Sequence, residues 1–307
     1  MKLKFLGTGS GVPSKERNVT AIVLDLTQER GTTWLFDCGE ATQHQILKTT
    51  IRPRKIEKIF ITHLHGDHIY GLPGLLSSRS FQDGTTPVTV YGPEGIEAYV
   101  MKSLEISQTH LRYPIIFQKV DEGFLFEDEQ FIVHCTKLDH GVDSYGYRIE
   151  EKDSPGELLP EKLQAIGLPP GPIYRQIKQN ITTILPDGRE INRDDFIGPN
   201  KQGRVVTILG DTRYIGELVD FIENSDVLVH ESTFAADEEK MAYEYHHTTT
   251  RQAAHLALSG NVNHLLLTHI SSRYQGDDII QLEAEATAVF PNSKIVTDFF
   301  EWEITQK

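Results

Sequence analysis

The sequence predicts a layered α/β protein. Short apolar runs rich in β-branched residues recur along the chain, helix-like segments alternate with them, and most runs end in polar, ligand-type residues. The runs are WLFDCGE at 34–40, KIFITHLHGDH at 58–68, VTVYGPEG at 88–95, FIVHCTKLDHG at 131–141, VVTILGDT at 205–212, DVLVHEST at 226–233 and HLLLTHIS at 264–271. Between them, 67–81, 95–106, 249–258 and 277–290 read as helices. Polar residues at strand ends are where α/β proteins place their ligands.

One stretch breaks the rhythm. From about 150 to 202 the chain is rich in turn formers, including GLPPGP at 167–172, and its hydrophobic periodicity is weak. A structureless stretch of that length is uncommon inside a compact domain and is usually functional or disordered. The expectation is a single domain over 1–307 with residues 150–202 inserted as a projecting arm. No internal repeat or low-complexity tract is visible.

With 307 residues, 38% hydrophobic and 24% charged, the composition excludes a disordered or fibrous chain. No run approaches the ~18 to 20 uncharged apolar residues of a membrane span, and the start MKLKFLGTGSGVP lacks the apolar stretch of a signal peptide. The expected location is cytoplasmic. Cys38 and Cys135 stand far apart with no metal-ligand spacing and read as core thiols. The formal charge of −14 argues at first against a polyanionic partner. Its distribution softens that objection, because 148–204 is electrically balanced and 162–186 holds Lys162, Arg175 and Lys178 with no acid. A second basic run at 48–58 carries Lys48, Arg52, Arg54, Lys55 and Lys58 against Glu57 alone; a nucleic-acid contact and a plain solvated face fit these charges equally well.

Thirteen histidines are the unusual feature, and they cluster. In extended backbone His63 and His65 face the same way, and the turn through Gly66 swings Asp67 and His68 toward a second position as a helix begins. Imidazole and carboxylate without thiolate suit zinc, with manganese or iron as alternatives. The spread over two positions suggests a pair of ions ~3.5 to 4 Å apart. A pair needs more ligands, and His140 in LDHG, Asp211 in LGDT and His269 in LTHIS each follow an apolar run. A lone histidine at a strand end is more often a satisfied structural residue. Four ligand types in one turn with three more at separate strand ends argue jointly for a metal site.

This HxHxDH pattern with its downstream His, Asp and His resembles the metallo-β-lactamase superfamily over essentially the whole chain outside the arm. The resemblance implies an αββα sandwich with a dinuclear zinc site at one edge, two zinc ions per chain. His63, His65 and His140 would hold one zinc, Asp67, His68 and His269 the other, and Asp211 would bridge both. Asp37 in DCGE matches the strand-end aspartate that orients the histidine loop; a simple turn former is the other reading.

The superfamily cleaves lactams, thioesters, lactones and phosphodiesters, so the metal motif leaves the substrate open. The glycine turn FLGTGSG at 5–11, leading into Pro13, Lys15, Arg17 and Asn18, resembles the PxKxRN loop of the ribonuclease Z family, whose members trim the 3′ end of precursor tRNA. In that family the loop senses the RNA 3′ end and disfavours a finished CCA. HEST at 230–233 resembles its HEAT-type motif, departing at the third residue, and His247 matches its catalytic histidine, while His246 has no counterpart. The resemblance implies Asp67 orienting or deprotonating the water, with His247 as general acid held protonated by Glu231. It also implies that Lys15, Arg17, Ser271 and Arg273 contact substrate; a structural salt bridge is the alternative for Arg273. Residues 150–202 resemble the family's tRNA-clamping arm, and a homodimer acting on precursor tRNA, with no membrane partner, is the expected assembly.

Two other readings compete. A small-molecule phosphodiesterase or thioester hydrolase of the same fold would have no use for the arm, and a non-catalytic RNA-binding protein would not need all seven ligand positions filled.

Overall fold

The structure is a computed structural model and describes residues 1–306. It divides into two compact units, residues 1–150 with 205–305 and residues 151–204 with Gln306.

The larger unit is built on two seven-stranded sheets. In the first, β1 (Lys2–Gly7), β2 (Ala21–Leu26), β3 (Thr32–Phe36), β4 (Ile56–Phe60), β5 (Val88–Gly92) and β6 (Ile115–Lys119) lie side by side in chain order. In the second, β7 (Gly123–Glu127), β8 (Phe131–Leu138), β9 (Ser144–Glu151), β10 (Val205–Leu209), β11 (Val227–Glu231), β12 (His264–Thr268) and β13 (Ser293–Ile295) do the same. The last strand, β14 (Glu301–Glu303), returns to pair antiparallel with β1. Each sheet ends in a parallel block, β3 to β6 in one and β10 to β13 in the other.

Neighbouring residues along each strand serve different cores, as the two-residue side-chain period requires. Leu24, Phe36 and Phe60 point into a cluster shared with Tyr147, Val229 and Leu266 of the other sheet. Val23, Leu35 and Ile59 face outward onto Leu72, Leu76, Val100 and Leu104 of helices Leu72–Phe81 and Ile96–Ile106. Leu228, Leu265 and Leu267 face Ala253, Leu256, Leu282 and Ala286 of helices Thr250–Ser259 and Asp277–Thr287. The result is the expected αββα sandwich, and because both faces of the central strands are buried they read as continuous apolar runs.

The helix expected over 67–81 is two helices, Gly66–Ile69 and Leu72–Phe81. The Gly71 amide instead bonds to the Cys38 carbonyl at 2.9 Å, and a Cβ on Gly71 would lie 2.1 Å from the Gly39 carbonyl oxygen. That close approach fastens the histidine turn to the end of β3. The helix expected at 249–258 starts on a capping box between Thr249 and Gln252.

The smaller unit is not structureless. Helices Pro160–Ala165 and Pro172–Gln179 and the hairpin Thr182–Ile184 with Glu190–Asn192 enclose Leu163, Ile177, Leu185 and Ile191. Each helix opens on a proline, which suits the first turn, and each buries a single side chain, too few to show as a period. In the basic run, Lys58 turns inward over the Trp34 and Phe126 rings and pairs with Glu57, whereas Arg52, Arg54 and Lys55 stay exposed.

Candidate metal centre and its flanking histidine

The seven expected ligands come together at the C-terminal ends of the parallel strands. His63, His65 and His140 form one group, Asp67, His68 and His269 a second, and His63, His68 and Asp211 a third that joins them, each with ligand atoms within 4.8 Å of one another. Asp211 Oδ2 lies 3.7 Å from His63 Nε2, 3.5 Å from His68 Nε2 and 3.2 Å from His269 Nε2. It therefore stands between the groups.

Several side chains around the cluster dictate which imidazole nitrogen faces inward. The Thr62 hydroxyl donates to Asp37 Oδ2 at 2.8 Å, so it accepts from His63 Nδ1 at 3.0 Å. His68 Nδ1 donates to Asp37 Oδ2 at 2.8 Å. His140 Nδ1 donates to the His246 carbonyl at 2.8 Å. The Thr233 hydroxyl donates to Glu231 Oε2 at 2.8 Å and accepts from His269 Nδ1 at 2.9 Å. With Nδ1 so engaged, each of these rings turns Nε2 toward the cluster, the arrangement that metal-binding histidines use. Asp37, which also accepts from the Thr62 amide, is more than a turn former.

These residues fit a divalent metal. Among the described residues, the buried His63 Nε2 has no hydrogen-bond partner. His140 Nε2 and His65 Nδ1 sit 3.1 Å apart, and His68 Nε2 and His269 Nε2 3.4 Å apart. A tetrahedron of nitrogen ligands ~2.0 to 2.1 Å from its centre has edges of roughly 3.3 to 3.4 Å. Burial first, then the neighbouring His68, drives the His63 pKa well below its usual value, keeping the ring neutral. Burial opposes charge on Asp211 as well, yet His269 and then His68 hold its carboxyl well below the usual range.

Beside the cluster, His247 Nδ1 is 2.8 Å from Glu231 Oε1. Glu231 also accepts from the amides of Thr212, Thr233 and Thr248 and from the Thr233 hydroxyl, so it is surrounded by donors and stays ionised. Burial works to lower the His247 pKa, but the Glu231 charge and hydrogen bond push it up to about 9. The ring is charged at neutral pH and keeps its Nε2 proton for donation.

The expected substrate contacts are placed less uniformly. Lys15 is exposed and, with Pro13, Ser272 and Tyr274, lines a cleft of about 650 Å³. Ser271 is half-buried and pairs with Ser10. Arg273 lies over the Phe234 ring and donates to Glu238 at 3.0 Å. Arg17 departs from the expectation: it is 6% exposed, and its Nη1 donates inward to the Thr8 hydroxyl at 2.7 Å and the Val296 carbonyl at 2.6 Å. Arg17 also borders the cleft that Lys15 lines, but these two Nη1 bonds tie its guanidinium to its own chain and anchor the loop.

Sequence reasoning passed over Thr62, Thr233 and the His246 carbonyl. Thr62 and Thr233 each sit one or two residues from a residue already singled out, which was the one signal on offer. His246, which looked incidental, has φ +60 and gives its carbonyl to His140.

Comparison with known proteins agrees with this geometry. Residues 1–150 match the family described as anti-Pycsar protein Apyc1. The structure resembles human tRNase Z, short form, with a TM-score of 0.72 and 29% identity over 99% of this chain and 100% of that one. The metallo-β-lactamase fold protein YhfI from Bacillus subtilis, 20% identical with a TM-score of 0.67 over 98% of each chain, shares the fold. Ribonuclease Z from Geobacillus kaustophilus is 57% identical over 304 residues, 99% of both chains, and the Bacillus subtilis ribonuclease Z is 56% identical over 98% of both. Likeness of that degree along the full length of both chains shows the family, and the chain belongs to the ribonuclease Z family.

Proposed function

We propose that this protein is a zinc-dependent endoribonuclease that removes the 3′ trailer from precursor tRNA, cutting after the discriminator base. The observation that carries the reading is the charged His247 beside a cluster of inward-facing Nε2 atoms, in a chain 57% identical to a ribonuclease Z. Two zinc ions, held by His63, His65, His68, His140, His269, Asp67 and the shared Asp211, would supply charge stabilisation at the phosphate and a nucleophile at neutral pH.

The chain's own side chains do the remainder. Burial opposes charge on Asp67, but His269 and His68 hold it ionised, so it accepts a hydrogen bond from the attacking water and orients it. His247 gives its Nε2 proton to the departing 3′ oxygen, and Glu231 stabilises the histidine's charge beforehand. The products are a 3′ hydroxyl on the tRNA and a 5′ phosphate on the trailer. Lys15, Ser271 and Arg273 take the flanking phosphates, Arg273 by exchanging Glu238 for substrate.

The family likeness also supports a cytoplasmic homodimer in which residues 150–202 hold the tRNA body; Lys162, Arg175 and Lys178 are exposed there. That segment has no evident use for a small-molecule phosphodiesterase or thioester hydrolase. Incubating purified protein and zinc with a CCA-less precursor and mapping both new ends tests the assignment. Cleavage after the discriminator supports it, and an intact precursor overturns it.

A further inference from the structure

Asp298 is a half-buried carboxylate that neither the metal cluster nor His247 uses. Its Oδ1 accepts from the Thr8 hydroxyl at 2.7 Å, and its Oδ2 accepts from the Asn18 amide at 2.7 Å and from Gln45 Nε2 at 2.8 Å. The Thr8 hydroxyl has one proton, which it gives to Asp298, so the bond from Arg17 Nη1 to the same oxygen fixes a relay that runs Arg17 to Thr8 to Asp298. Arg17 in turn holds the Val296 carbonyl. The neck of the loop closes here, because the amides of Thr8 and Gly9 both donate to the Asn18 carbonyl, at 2.9 and 2.8 Å.

From this neck the loop reaches the metal cluster twice. The Thr8 carbonyl accepts from the Ile270 amide at 3.0 Å, next to His269, and Gly9–Ser10 pairs in parallel with Ile270–Ser271. The Gly11 amide donates to Asp67 Oδ2 at 2.8 Å, and that oxygen is 3.3 Å from His269 Nε2 and 3.5 Å from His68 Nε2. Gly11 has φ +69, a conformation that suits glycine and turns its N–H inward. An amide that donates to a ligating carboxylate selects which lone pair it presents.

We propose that Asp298, acting through Thr8 and Arg17, is a positioning residue for the metal centre: it locks the loop at 8–18 so that Gly11 holds the Asp67 carboxylate and Thr8 holds the chain beside His269. The inference rests on the assignment of Asp67 and His269 as metal ligands. Three donors converge on Asp298, so the site requires acceptors. Asparagine meets most of that demand if its amide nitrogen turns toward Thr8, whose oxygen still has a free lone pair; alanine meets none of it.

The test compares Asp298→Ala, Asp298→Asn, Thr8→Val and Thr8→Ser with the unmodified protein. Zinc affinity is read by chelator competition, amide hydrogen exchange in peptides covering 8–18, and kcat on precursor tRNA. The alanine and valine variants are expected to exchange faster in the loop, bind the weaker zinc at least tenfold less tightly and lose kcat in proportion, with asparagine and serine recovering most of each. Thr8→Val keeps the Asp298 charge and the side-chain volume, and serves if Asp298→Ala does not fold. Faster exchange with unchanged zinc affinity and kcat overturns the proposal and leaves Asp298 as structural support. If the unmodified protein binds zinc but leaves precursor tRNA intact, the assigned reaction fails, while exchange and zinc affinity still decide the role of Asp298.

Discussion

His247 and Glu231 are joined at 2.8 Å, and the carboxylate that holds the histidine is 1% exposed and receives four further donor contacts from Thr212, Thr233 and Thr248. A carboxylate so enclosed cannot drift away from the ring. His247→Ala is therefore expected to keep its metal and lose roughly 10² to 10⁴ in kcat, read by elemental analysis and single-turnover cleavage. Asp67→Ala is expected to lose metal and turnover together. Equal metal loss in both variants would show that His247 is itself a ligand.

The same pair sets a pH signature. A histidine raised to about 9 stays charged through neutrality, and its stabilising effect is complete below its unfolded pKa of ~6.5 and lost as pH rises through about 9. The basic limb of kcat should fall near pH 9. Glu231→Gln removes the charge that opposes burial, so its basic limb should move down by a pH unit or more, and its stability deficit should shrink above pH 9. A pH–rate profile with the same basic limb in both proteins would contradict this.

Asp37 grips two parts of the histidine turn, accepting from His68 Nδ1 and from the amide and hydroxyl of Thr62, which in turn holds His63. Asp37→Asn puts an N–H where at least one of those donors points. Outer partners of this kind are worth 10- to 100-fold in metal affinity, so a loss of roughly that size is expected in chelator competition. Affinity within twofold of the unmodified protein would reduce Asp37 to a turn residue.

Most of the architecture was legible because buried parallel strands such as Val227–Glu231 and His264–Thr268 spell their burial as short apolar runs, with Glu231 ending one and His269 following the other. Strands Ile115–Lys119 and Gly123–Glu127 were passed over because they stand at the sheet edges, with no fully buried side chain and apolar runs of only three residues. The inward bonds of Arg17 were not legible for a physical reason: a sequence pattern gives the residue type but not the direction of the side chain. Its partners, Thr8 and Val296, are 9 and 279 residues away.

Stability should centre on Phe60. It is fully buried between the sheets, stacked on Phe36 at 4.7 Å and on Tyr91 at 5.0 Å, with Tyr147 edge-on at 5.2 Å. Phe60→Ala removes several aromatic contacts and leaves a cavity that three large rings cannot easily close, so a loss of about 3 to 5 kcal/mol is expected in denaturant unfolding. Because β4 leads directly into Thr62 and His63, zinc affinity should fall as well. A loss below about 1 kcal/mol would mean that the rings collapse into the gap.

Residues 151–204 can be excised on geometric grounds, because Glu150 and Val205 face each other at the end of the antiparallel pair β9 and β10. A two-residue turn of the Asn-Gly kind joins such a pair without splaying it. The shortened protein loses the exposed Lys162, Arg175 and Lys178 but keeps every metal ligand and the His247–Glu231 pair. It is expected to bind as much metal as the unmodified protein, unfold cooperatively and turn over a small phosphodiester unchanged. Its KM for precursor tRNA should rise at least tenfold, with a shallower dependence of binding on salt, since fewer phosphate contacts release fewer counterions. Unchanged KM and salt slope on precursor tRNA would refute the role given to this segment and favour a small phosphodiester as the true substrate.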